Sequence, residues 1–133
     1  MTKEKLVQAA TVAREYAYAP FSNFKVGAAA VGGSQKIYCG CNIENASFGL
    51  TNCAERTAIF KAISEGEHKI EALAVIADTE EPVSPCGACR QVLSEFCTRD
   101  TKIYLANLHG DVEEWTIEQL LPGSFKSSDM NKK

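Results

Sequence analysis

Apart from Lys132-Lys133 at its end, this 133-residue chain has no run of basic residues, and its formal net charge is −3. Proteins that grip nucleic acids meet the phosphates with a Lys/Arg stripe, so this absence argues against a nucleic-acid polymer as partner. The start, Met1-Thr2-Lys3-Glu4-Lys5-Leu6, lacks the apolar segment of a secretory signal. No apolar run approaches the roughly 18 residues that a membrane span requires. A cytoplasmic protein with no membrane partner is therefore expected. Internal repeats, low-complexity tracts and linkers are also missing. The chain reads as one domain over residues 1–133, with a polar tail at about 126–133.

What remains is ordinary globular composition, 45% hydrophobic and 23% charged. Six cysteines in a reducing compartment suit metal binding, catalysis or packing better than disulfides. Thr2 is placed to cap a first helix with Leu6, Ala9, Ala10, Ala13, Tyr16 and Ala17 on its apolar face, ending at Ala19-Pro20. Phe24 to Val31 and Ile37 to Ile43 read as strands joined by a Gly32-Gly33-Ser34-Gln35 turn. A helix over about Cys53 to Glu65 follows, then an apolar strand from Ile70 to Ala77. Ser84-Pro85 announces a helix to about Phe96, with serine as N-cap. Strands at Lys102 to Asn107 and Val112 to Thr116 precede a short helix opened by Thr116-Ile117-Glu118-Gln119 in capping-box form. The order predicts an α/β fold, a three-layer α/β/α sandwich with a mixed five-stranded sheet.

Cys53-Ala54-Glu55 and, further on, Pro85-Cys86-Gly87-Ala88-Cys89 carry the chemistry. Cys53, Cys86 and Cys89 offer three thiolates, and three protein ligands leave the fourth position of a tetrahedral zinc open to water. Both segments fall at expected helix starts, with Thr51 and Asn52 as candidate caps for the first. Positive helix ends there favour thiolate over thiol. Glu55, two residues from Cys53, reads as the group that moves protons. Three thiolates on Zn²⁺ give a net negative site, and Arg56, on the face of Cys53, is placed to offset that charge by hydrogen bonds to sulfur. A closed site built from Cys39, Cys41, Cys86 and Cys89 is the rival reading, but it leaves Cys53, Glu55 and Arg56 without a role. Cys97 reads as an ordinary buried thiol.

These motifs resemble the cytidine deaminases, in particular the short, homotetrameric type with three cysteine ligands. The likeness spans nearly the whole chain. It takes in Tyr18-Ala19-Pro20-Phe21-Ser22, Phe24-Lys25-Val26-Gly27-Ala28-Ala29, Asn42-Ile43-Glu44-Asn45-Ala46, Cys53-Ala54-Glu55-Arg56-Thr57-Ala58 and Pro85-Cys86-Gly87-Ala88-Cys89-Arg90-Gln91. The resemblance implies one Zn²⁺ per subunit and a free nucleoside as substrate, cytidine or 2′-deoxycytidine, hydrolysed to the uridine form with release of ammonia. It also implies that Phe24 packs on the pyrimidine, that Asn42 and Glu44 hold ribose hydroxyls, and that Ala54 contacts substrate. Ala46 and Phe125 are implied to reach a neighbouring subunit's site in a homotetramer. Phe48 lacks a hydroxyl where relatives carry tyrosine. A deaminase of another nucleoside, such as blasticidin S, and a non-catalytic structural-zinc module are the alternatives.

Overall fold

The computed structural model describes residues 2–83, 85 and 87–122. The expected Ser84 cap, the Cys86 ligand, Phe125 and the tail at 126–133 lie outside the described residues.

Helix α1 (Lys3–Arg14) opens as expected, with the Thr2 hydroxyl accepting from Lys5 N at 3.2 Å, and buries Leu6, Ala10 and Ala13. It ends before Tyr16 and Ala17, which the periodicity had included. Tertiary pairing decides this end: Tyr18 N donates to Asn42 O and Glu44 N to Tyr18 O, which needs extended backbone. Tyr16 is left 78% exposed.

Strand β1 (Val26–Gly32) pairs antiparallel with β2 (Ile37–Cys41) and, on its other side, with β3 (Ile70–Ala77). β3 runs parallel to β4 (Cys97–Asn107), which pairs antiparallel with β5 (Val112–Trp115). The sheet order is β2-β1-β3-β4-β5, the mixed five-stranded sheet that was expected. β1 starts two residues later than predicted because the Asn42 side chain occupies Phe24 O and Val26 N. β4 starts earlier, directly after the preceding helix, where Thr101 Oγ1 donates to Ile70 O at 2.6 Å beside an irregularity in the β3–β4 register.

Alternation along the strands divides the core in two. Ala29, Val31, Ala74 and Ile76 pack with Leu6 and Ala10 of α1. Ala28, Ala30, Leu73 and Val75 pack with Ala58 and Ile59 of α2 (Ala54–Ser64), Leu93 of α3 (Gly87–Phe96) and Leu120 of α4 (Ile117–Leu120). Thr116 and Gln119 form the expected capping box.

Gly40 on β2 sets how closely α2 lies on the sheet. A Cβ there would stand 2.5 Å from Ala58 N and 2.7 Å from Ala54 O. The β1–β2 turn is tied down from the α2–β3 connection by Glu67, whose carboxylate accepts from the Ser34 hydroxyl and from Tyr38 OH at 2.9 Å.

Candidate active site

The backbone from Asn42 to Cys53 brings the pieces together. Ile43 exchanges backbone hydrogen bonds of 2.9 Å with Asn52, so the residues after β2 lie against the start of α2. Cys53 is the N-cap of α2 with extended backbone and no side-chain cap bond. The expected caps are employed elsewhere: Thr51 Oγ1 accepts from Asn45 N, and Asn52 Nδ2 donates to Thr57 Oγ1 at 3.1 Å. Cys89 is buried in the first turn of α3. Two helix N-termini therefore carry the described thiols, and the positive ends of the helix dipoles favour thiolate.

Glu55 is 4% exposed. Burial pushes its carboxyl up to about 7; a hydrogen bond from its own backbone N–H opposes the rise and the charge of Cys53 adds to it. It shares a hydrogen bond with Cys89. Arg56 Nη2 donates to Cys53 Sγ at 3.5 Å and to Thr51 O at 3.3 Å. Its hydrogen bond to Cys53 is the main reason the guanidinium is held above its ordinary value, and it hydrogen-bonds Cys89 as well. Arg56 Nε is buried without a partner among the described residues. A guanidinium between two sulfurs beside a desolvated carboxyl suits a soft divalent metal on thiolates. The described residues supply Cys53 and Cys89; Cys86 lies outside them.

The closed four-cysteine rival fails on geometry. Cys39 packs toward α1, with its thiol 3.9 Å from Ala9 O, and Cys41 is two residues along the same strand. Cys53 and Cys89 belong to helices on the opposite face, so the sheet stands between the two pairs.

A cavity of about 250 Å³ opens in front of Glu55, lined by Ser22, Phe24, Val26, Asn42, Glu44, Thr51, Asn52, Cys53, Ala54 and Val83 as well as Glu55 itself. This is somewhat below the ~300 Å³ lower bound usual for drug-sized ligands, a scale suited to one nucleoside. Phe24, Asn42, Glu44 and Ala54 thus share one cavity with Glu55 and Cys53. Asn42 is buried, its Oδ1 accepting from Val26 N at 2.9 Å and its Nδ2 donating to Phe24 O at 2.8 Å. Among the described residues this leaves one amide hydrogen and one oxygen lone pair unused. Ala46 is exposed in the following loop and does not line this cavity. Sequence reasoning assigned nothing to Ser22, Thr51, Asn52 and Val83 as cavity walls. No periodicity or ligand spacing marks them, because Thr51 and Asn52 become walls through the loop pairing around Ile43, Ser22 through its bond to Glu44, and Val83 through the connection whose backbone bonds Ala106.

Two thiols, a buried carboxyl and a guanidinium thus meet at two helix starts. Residues 1–105 match the family model described as the cytidine and deoxycytidylate deaminase zinc-binding region. The chain is 57% identical over 131 residues to a cytidine deaminase of Halalkalibacterium halodurans, covering 98% of this chain and 99% of that one. It is 56% identical to a cytidine deaminase of Sporosarcina psychrophila, covering 98% and 96% of the two chains. The crystal structure of cytidine deaminase from Burkholderia pseudomallei superposes with a TM-score of 0.91 at 50% identity, covering 94% of this chain and 100% of that one. That from Mycobacterium tuberculosis superposes with a TM-score of 0.80 at 36% identity, covering 94% and 98%. The chain belongs to the cytidine and deoxycytidylate deaminase family.

Proposed function

We propose that this chain hydrolyses cytidine and 2′-deoxycytidine to uridine and 2′-deoxyuridine, releasing ammonia, as one cytoplasmic catalytic domain. The observation that carries the reading is a cavity in which a buried, proton-accessible Glu55 stands beside Cys53 and faces Phe24, Asn42 and Glu44. Cys53, Cys86 and Cys89 would hold one zinc per subunit, and the chemistry it would supply there is to make a water more acidic. Arg56 balances the excess thiolate charge.

Glu55 takes a proton from the attacking water and delivers it to N3 of the pyrimidine, which makes C4 electrophilic. The water oxygen bonds to C4. Glu55 then carries the second water proton to the amino group, the C4–N bond breaks, and ammonia leaves as the C4 carbonyl forms. A carboxyl with its pKa near neutrality serves both directions of this transfer.

Phe24 offers an apolar ring surface to the base, and Ala54 packs at the same wall. Asn42 and Glu44 hold the sugar hydroxyls, an amide and a carboxylate together donating and accepting. A homotetramer, with Ala46 and Phe125 reaching a neighbouring subunit's site, completes the proposal. The net charge of −3 and the lack of a basic run favour a free nucleoside over a nucleic-acid polymer. Among the described residues no helix is long and apolar enough to cross a membrane.

An absorbance assay on cytidine, 2′-deoxycytidine, cytosine and CMP tests this reading. Turnover of both nucleosides with weak turnover of cytosine is expected. Cytosine turned over as well as cytidine would remove the sugar contacts from the account.

A further inference from the structure

Glu44 is held from one side by the loop that precedes β1. Its Oε1 accepts from Phe21 N at 2.9 Å and Ser22 N at 3.1 Å, and its Oε2 accepts from the Ser22 hydroxyl. The same hydroxyl oxygen accepts from Phe24 N at 3.0 Å. Between them, Asn23 sits in the left-handed region at φ +57°, which asparagine takes more readily than most non-glycine residues. A carboxylate has about four acceptor positions. Ser22 and Phe21 fill three of them, which leaves one on Oε2, at the wall of the cavity that holds Phe24 and Glu55.

We propose that Ser22 is a positioning residue for sugar recognition, orienting Glu44 so that its remaining acceptor site takes a hydrogen bond from a hydroxyl at the sugar 3′ position. Ser22 does not touch the reacting atoms. Its hydroxyl spends its donor on Glu44 and one acceptor on Phe24 N, so one side chain couples the sugar-binding carboxylate to the backbone of the base-packing phenylalanine. The hydrogen bond from Ser22 is also the main cause holding the Glu44 carboxyl below its ordinary value. A consequence is directional selectivity: the pocket favours a sugar hydroxyl that donates, and a 3′ position without a hydrogen to give is disfavoured.

This inference rests on the nucleoside reading above, and the test separates the two. Steady-state kinetics of the zinc-loaded wild-type protein, Ser22→Ala and Ser22→Thr are measured on 2′-deoxycytidine and on 2′,3′-dideoxycytidine, which lacks the 3′ hydroxyl. Ser22 is exposed in a loop, so neither substitution removes core packing. Ser22→Ala is expected to raise KM for 2′-deoxycytidine about tenfold more than for the dideoxy substrate, with kcat shifted about twofold or less. Ser22→Thr, which keeps the hydroxyl, is expected to restore most of that loss. Equal KM changes on both substrates, or a loss confined to kcat, would overturn the positioning role while leaving the deaminase reading intact. A wild-type protein that turns over neither nucleoside would remove the deaminase reading, and this inference with it.

Discussion

Arg56 at the site and Cys97 in the core carry contrasting expectations. Arg56 spans the sulfurs of Cys53 and Cys89, so its charge lowers the cost of gathering thiolates. Arg56→Gln is expected to lower zinc affinity or kcat by about 10–100-fold, read by chelator competition and by nucleoside turnover. Wild-type values for both would show the guanidinium to be a bystander. Cys97 is the contrasting case. Burial pushes its thiol up to about 12, so almost none is thiolate at neutral pH. Alkylation at about pH 8 followed by mass spectrometry is expected to leave Cys97 unlabelled while the protein stays folded, with labelling rising only as pH climbs toward that value. Rapid labelling at pH 8 would contradict its burial. The zinc pattern was legible in the sequence because ligand chemistry restricts residue type and spacing. Ser22 was not: a loop serine acquires its meaning from Glu44, which the fold brings to it from the far side of the β1–β2 hairpin.

At the scale of elements, close approach decides where α2 lies. Gly40 faces α2 and Gly27 faces α1, where an added Cβ would stand 2.0 Å from Ala10 O. The obstructing atoms are backbone and cannot rotate away. Gly40→Ala and Gly27→Ala are each expected to destabilise by about 1–3 kcal/mol in denaturant titration. Only Gly40→Ala, which pushes on the helix carrying Cys53 and Glu55, is expected to lower kcat in the folded fraction. Equal kcat losses for the two would separate α2 placement from activity. The turn held by Glu67 carries a pH signature. Hydrogen bonds from Ser34 and then Tyr38 hold the Glu67 carboxyl below its ordinary value. Its contribution to stability is therefore present above the ordinary carboxylate range and is lost as pH falls through the lowered native value. Between about pH 5 and pH 3, the wild-type Tm is expected to fall further than that of Glu67→Gln; parallel curves would contradict this. Elements whose residues agree at every level were readable in advance. Ile70–Ala77 is a strand over the predicted span because it is buried on both faces, and Thr116 caps as its motif requires. The end of α1 and the start of β4 were misplaced, since backbone pairing at Tyr18 and the Thr101–Ile70 bond outweigh local propensity there.

For the whole molecule, several large apolar side chains stand exposed. Tyr16, Tyr18, Phe21 and Leu50 are all more than half exposed. A homotetramer would bury such residues, and light scattering is expected to give about four times the 14.4 kDa chain mass. A stable, active monomer would contradict the shared-site proposal. The proposed chemistry turns on Glu55 as the proton carrier beside a thiolate-held zinc. Its most direct test is zinc content and cytidine turnover measured on the same samples of wild type and Glu55→Gln. One zinc per chain is expected in both, with a kcat at least about 100-fold lower in the variant. A zinc-loaded Glu55→Gln with wild-type kcat would contradict it.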